Sequence, residues 1–245
     1  MKLTIIGCVL FFFTFSVLAG TFIETFDDAD LEEWQELVRN NKALGSWEVI
    51  DRELHAISPD GWTRLLTIGD ETWQNYTIEV KVKPLEKHGR GSLVIAARIN
   101  ETWLMFCEIG DYLFPESNAN CRVGDFLDNV TAILYLEAHP PLRLDTWYTL
   151  KLSVKGGTFI FSVNNTKVVE TGQDFIFRHG GREVINQKAG NLDHFLTGGV
   201  GFGLTSYTAR FDNIIITGKG IPDKGRLSVM PGAKLSTTWG DLKDF

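Results

Sequence analysis

The sequence predicts an all-β fold, a two-sheet antiparallel β-sandwich of jelly-roll type, and three observations carry the expectation. The first is strict alternation over Asn75–Pro84, where Tyr76, Ile78, Val80 and Val82 interleave with Thr77, Glu79, Lys81 and Lys83. The second is the same pattern over Trp147–Val154, with Tyr148, Leu150, Leu152 and Val154 on one side and Thr149, Lys151 and Ser153 on the other. A period of two places one set on a buried face and the other in water. The third is Gly198–Gly218, in which Gly199, Gly201 and Gly203 alternate with Val200, Phe202 and Leu204 before the β-branched run Ile214–Ile216. It reads as a strand over 200–205, a turn over 206–209 and a strand over 210–217. Its glycines leave one face bare, so that another sheet or a ligand can approach the backbone.

In chain order, residues 1–19 read as a secretory signal. Lys2 supplies the positive start, Ile5–Phe15 the apolar run, and Val17-Leu18-Ala19 a small-residue cleavage site before Gly20. The mature chain is expected to be exported, secreted or periplasmic, with no membrane span. The 245 residues are 44% hydrophobic and carry a formal charge of -7, which removal of Lys2 makes one unit more negative. That sign argues against nucleic acid and anionic membranes as partners.

Thr21–Phe26 is expected as the first strand, followed by an amphipathic turn at Leu31–Trp34. Trp47–Asp51 and Glu53–Ile57 form a hairpin with Arg52 in a turn position that usually holds glycine, and Thr63–Thr67 a further strand. A glycine-bearing hairpin turn at Glu86–Gly91 leads to the central strand Ser92–Ile99, then to Trp103–Ile109 and Thr131–Ala138. Gly156-Gly157 and Asn164-Asn165 turn the chain around Phe159–Val163. The segment 174–197 breaks the alternation and reads as a long loop, the kind that often carries function. Residues 219–245, punctuated by Pro222, Pro231, Gly225 and Gly232, form a tail outside the domain 20–218, in which Trp239 and Leu242 suggest a docking turn.

Three stretches resemble the concanavalin A-like lectin and glucanase superfamily, including its laminin G-like and keto-disaccharide hydrolase-like members: the closing G.GF.......A.FDNI.I, the opening F-D-D followed by Trp34, and WY.LKL.V.G..F.FSVN...V. The resemblance covers roughly Thr21–Gly218 and implies the jelly roll more firmly than any ligand. It implies a carbohydrate or glycoconjugate as partner, or, on a laminin G-like reading, another protein. It also implies a structural calcium ion: related jelly rolls place one acidic residue after the first strand's phenylalanine and another in the closing strand. Here these are Asp27 and Asp212, with backbone oxygens such as that of Thr25 completing the shell. Without metal, Asp27 caps a turn and Asp212 bonds a neighbouring loop.

The superfamily's glucanases carry E-x-D-x-x-E, which sets paired carboxylates on one strand face. That motif is absent, and the intervals Glu48–Asp51 and Glu108–Asp111 are odd, so each pair points to opposite faces. The five histidines lack ligand spacing. A non-catalytic binding domain is therefore favoured over an enzyme. Sugar recognition needs aromatic platforms and planar hydrogen-bonding groups, and Arg98, Trp103, Glu108 and Tyr135 are the residues expected to supply them, with Trp62, Arg64 and Arg122 of the same types. Arg98 and Glu108 sit on central strands, where a buried lone charge is costly. They either face a wet groove or pair with each other. Trp47 and Trp147 are expected in the core. Cys107 and Cys121 are expected as a disulfide, the alternative being two buried thiols. Asn75, Asn100, Asn129 and Asn164 each begin an N-x-T sequon, a glycosylation signal in a eukaryotic secretory pathway and a turn residue otherwise.

Overall fold

The computed structural model describes residues 19–28 and 30–224. The signal (apart from Ala19) and the tail beyond 224 lie outside the described residues. Among those described, the strands are β1 (Ala19–Glu24), β2 (Gln35–Val38), β3 (Ser46–Ile50), β4 (Glu53–Ile57), β5 (Arg64–Ile68), β6 (Tyr76–Asn100), β7 (Trp103–Gly110), β8 (Asn118–Asp125), β9 (Val130–Ala138), β10 (Tyr148–Lys155), β11 (Thr158–Val163), β12 (Thr166–Glu170), β13 (Asp174–His179), β14 (Arg182–Lys188) and β15 (Gly199–Lys219). No helix among them is long and apolar enough to cross a membrane.

Two long strands form the spine. β6 and β15 pair antiparallel from Gly199 opposite Ile99 to Gly218 opposite Tyr76, and each passes through both layers. One layer runs β12-β11-β10-β6-β15-β4-β3, with β1 also on β15. The other runs β9-β8-β7-β6-β15-β5-β2. The chain therefore does not turn back at Glu86–Gly91 or at 206–209, where the sequence suggested turns. Lys87 pairs with Tyr207 and Glu86 with Thr208, while register shifts at Thr205/Tyr207 and Thr208/Ala209 bend the ladder. Ser206, at φ 52°, sits in the bend. A bulge uses turn-forming residues without ending a strand, which is why the two cannot be told apart in the sequence. The bend also changes parity. Ile78, Val80 and Val82 face the core before it, and Leu93, Ile95 and Ala97 after it.

β5 pairs with the edge of β15 opposite β6, and the glycines of β15 let it come close. A Cβ built on Gly203 would lie 1.8 Å from the Arg64 carbonyl oxygen. On the core side, Trp34 stands edge-on between Phe22 and Phe202, and Trp47 packs on Phe202 and Phe211. Trp147 departs from expectation: it is 38% exposed, with the Lys83 ammonium 4.9 Å from its ring centroid. The β3–β4 turn places both Asp51 and Arg52 at positive φ (53° and 65°), so an arginine adopts the left-handed geometry that the hairpin demands.

The segment 174–197 is not a plain loop. β13 and β14 form a hairpin around Gly180 and Gly181, with Phe175 and Phe177 buried against Tyr135 and Phe114. Its short inward alternation is hidden by charged neighbours on the open face. Cys107 and Cys121 stand opposite each other on β7 and β8 and are disulfide-bonded. All four sequon asparagines are exposed.

The close approach at β5 makes a direct prediction. Gly203→Ala should destabilise the fold by about 1–3 kcal/mol, because the added methyl meets backbone that cannot yield locally. Gly61→Ala, which meets nothing within 4 Å, should leave the thermal melt unchanged. Equal melts for the two variants would refute the packing account.

Candidate functional site

A recess with aromatic and charged walls lies where β6 turns into β7. The ladder breaks between Ala97 and Asn100, and Arg98 takes φ 57°. Its backbone amide donates to the Tyr76 hydroxyl (2.7 Å), which is also within donating distance of the carbonyls of Gly198 and Gly199 (2.9 and 2.8 Å). That knot fixes the start of β15 against β6. The Arg98 side chain is 1% exposed, with Cζ 5.5 Å from the Tyr76 ring centroid. One long contact joins its Nη2 to the Gly156 carbonyl (3.5 Å), while Nε and Nη1 have no partner among the described residues. Burial lowers its pKa from the ordinary arginine value.

Trp103, 47% exposed, lies beside Phe195 with ring centroids 6.0 Å apart and 33° between planes. Arg98, Asn100, Glu101, Trp103, Phe195 and Leu196 line a pocket of about 470 Å³. An aromatic wall, a carboxylate on the rim and a buried guanidinium are the group types that grip a polyhydroxylated ring.

The structure thus brings together two of the four residues expected to bind ligand, Arg98 and Trp103. Glu108 lies elsewhere on the same sheet and is 0% exposed. One carboxylate oxygen accepts from Arg122 and the other from the Ser92 hydroxyl (2.7 Å), so its partner is Arg122 on β8 rather than Arg98. Arg39, just after β2, stacks over the pair near Phe106, Tyr112 and Phe126, and burial and the Arg122 charge both lower its pKa. Beneath them, Leu65, Val94, Ala96, Leu104 and Phe106 form a small second apolar cluster. Tyr135 is on the core side, 1% exposed, against Phe175 at 4.9 Å. Its hydroxyl donates to the Glu137 carboxylate, and burial together with that bond raises its pKa. It offers a ligand no platform.

Sequence reasoning missed Asn100, Glu101 and Phe195. The first two were visible only as a turn with a sequon, and Phe195 sits in a connection without alternation. Arg39 carried no signal.

At the corner between the end of β1 and β15, the half-buried Asp212 accepts from the backbone amide (2.7 Å) and side-chain amide of Asn213. Its pKa is raised, first by burial, with Glu53 and Asp27 adding to the rise and Lys81 opposing it. Asp27 accepts from the Thr25 hydroxyl (3.0 Å) and stands 3.9 Å from Arg52. Among the described residues no three His, Cys, Asp or Glu side chains gather closely enough to hold a metal. A cation here would need backbone oxygens beside the two aspartates.

The role of Glu108 is open to measurement. Glu108→Gln leaves the buried Arg122 without a counter-charge and should cost about 3 kcal/mol or more in folding free energy. A variant as stable as the parent would show that the pair lies in water.

A family model described as the galactocerebrosidase C-terminal lectin domain matches residues 49–218. Galactocerebrosidase of Macaca mulatta is 29% identical over 110 residues, and that of Mus musculus 27% over 123. The matches cover 44% and 50% of this chain but only 16% and 17% of those proteins, so the similarity spans about a sixth of the relatives' length. Among solved structures, the carbohydrate-binding module CBM66 of Bacillus subtilis superposes with a TM-score of 0.55 at 15% identity, covering 74% of this chain and 93% of that one. A galectin-like protein of unknown function from the same organism gives 0.52 at 13% identity, covering 82% and 97%. These likenesses concern the fold, a lectin-like β-sandwich.

Proposed function

The chain belongs to the galactocerebrosidase C-terminal lectin domain family, and on that premise we propose that it is a non-catalytic carbohydrate- or glycoconjugate-binding domain of an exported protein. The observation that carries the reading is the Arg98–Trp103 pocket, an aromatic wall with unspent hydrogen-bond donors behind it. The solved carbohydrate-binding module of similar fold supports it. Both oxygens of Glu108 are held by Arg122 and Ser92, which speaks against that residue as a catalytic acid. The Cys107–Cys121 disulfide suits an oxidising compartment outside the cytosol.

A glycan array run beside a hydrolysis screen tests the proposal. Binding without turnover is the expected result. Turnover abolished by Glu108→Gln at full folding would instead favour the keto-disaccharide hydrolase-like enzyme, and silence in both assays a laminin G-like, protein-binding module. Trp103→Ala should weaken sugar binding roughly tenfold, about 1.4 kcal/mol, with an unchanged melting temperature. Retained affinity in that variant would remove the pocket from the proposal.

We also propose that Asp27 and Asp212 hold a structural calcium ion with neighbouring backbone oxygens, clipping the first strand to the last. Burial is the main cause of the raised Asp212 pKa, with the charges of Glu53 and then Asp27 adding to it, and a cation at this corner would relieve that repulsion. Calcium at about a hundredfold over its dissociation constant would stabilise the fold by about 2.7 kcal/mol. A chelator should lower the melting temperature of the parent but not of Asp212→Ala. Identical melts of the parent with and without calcium would defeat this.

A further inference from the structure

We propose that the Arg98–Trp103 pocket selects an anionic saccharide, one whose carboxylate or sulfate group docks on the Arg98 guanidinium while its ring stacks on Trp103. This rests on the carbohydrate-binding reading of the same pocket and adds the charge of the ligand to it.

The inference starts from an imbalance. Three other buried arginines show how this fold ordinarily treats a guanidinium away from water. Arg64 donates to the Ala43 and Trp62 carbonyls, the Ser58 hydroxyl and the Asp60 carboxylate. Arg122 pairs with Glu108. Arg39 also has Nε and Nη1 without partners among the described residues, but its Cζ lies 5.9–6.0 Å from the centroids of three aromatic rings, Phe106, Tyr112 and Phe126, whose faces attend the charge. Arg98 combines burial and two nitrogens without partners with a single ring beside it and a place in the wall of an open pocket. A buried charge without a counter-charge is costly, and a ligand supplying one recovers that cost on binding. Sugar hydroxyls would satisfy the free N–H groups but not the charge. A carboxylate or sulfate does both, and its paired oxygens match the guanidinium fork.

The rest of the pocket sets orientation. Glu101 is exposed on the same rim, and the adjoining groove carries Glu33, Glu36 and Glu71. An anion held at that side is repelled, so the acidic group is directed to the Arg98 end. Trp103 and Phe195 leave an apolar wall for the less polar ring face.

The test is titration calorimetry with three oligosaccharides that differ only in the terminal residue: neutral hexose, the matching uronic acid, and the matching sulfated hexose. The parent should bind at least one acidic form tenfold or more tightly than the neutral one, and comparing the uronic with the sulfated arm identifies which anion fits. Arg98→Gln should abolish the preference, so that the acidic and neutral forms bind the variant with affinities within about twofold of each other. Trp103→Ala should weaken all bound forms together. Because the hydrogen bond between Arg98 and Tyr76 uses the backbone amide and the side chain adds only its contact with the ring face, Arg98→Gln should fold, with a melting temperature equal to or above the parent's once the unpaired charge is gone. Arg98→Lys, which keeps the charge but loses the fork, should retain part of the preference. Equal affinity for neutral and acidic forms, or a preference that survives Arg98→Gln, overturns the anionic assignment while leaving carbohydrate binding standing. Absence of binding to any of the three and to the wider glycan array overturns both.

Discussion

The structure depends on one continuous interaction, the β6–β15 ladder. Each of the two strands crosses from one layer to the other, so the sheets of the sandwich are hinged along a pair of hydrogen-bonded chains rather than joined by loops. The bend is made by register shifts that leave residues 88–91 off the β15 ladder, and 88–90 are exposed, so that water can satisfy their backbone groups. The shifts also change side-chain parity, turning even positions inward in one half of β6 and odd positions inward in the other. The core side of both layers follows from that change. So does the glycine run of β15, which lets β5 close on its edge.

Around the spine, buried charge is handled locally. Arg64 is surrounded by acceptors drawn from the loop between β4 and β5, with Ala43 beyond. Glu108 and Arg122 neutralise each other across neighbouring strands, beneath the aromatic cover that Arg39 completes. These arrangements fix how the strands sit relative to one another, since breaking one strands a charge. They add little net stability over an apolar core of the same shape, and they do not present chemistry to solvent. Glu108 is the clearest case. Its type and strand position suggested a site, but its two oxygens are already taken.

The fold was legible because its signals are local. Alternation in 76–82 and 148–154, the hairpin turn at 51–52 and the opposed cysteines survive into the structure nearly residue for residue. What could not be read depended on partners far away in sequence. Whether Glu86–Gly91 turns or bends is decided by Tyr207 and Thr208, more than a hundred residues on. Whether Arg98 meets Glu108 is decided by Arg122 taking that carboxylate first. Tyr135 was misplaced because its strand face could not be assigned until β13 had covered it. Trp147 heads a clean strand, yet its ring lies at the edge under Lys83. Residue type is visible in a sequence, but competition among partners is not.

That competition also explains where a site can exist in such a molecule. Within regular stretches of the ladder, backbone donors and acceptors pair with the neighbouring strand. Where the β6–β7 pairing fails, between Ala97 and Asn100, the backbone takes a left-handed step at Arg98, as it does at Ser206 in the bend, and Arg98 comes to line the pocket. Arg98 occupies that step, held by the Tyr76 hydroxyl through its amide, with Nε and Nη1 of its guanidinium left without partners among the described residues. A bulge beside a strand end is thus both a defect in the sheet and the place where binding energy can be stored. The positive φ of a non-glycine residue, the unmatched donors and the aromatic pair across the gap are three consequences of one interruption in the hydrogen-bond ladder.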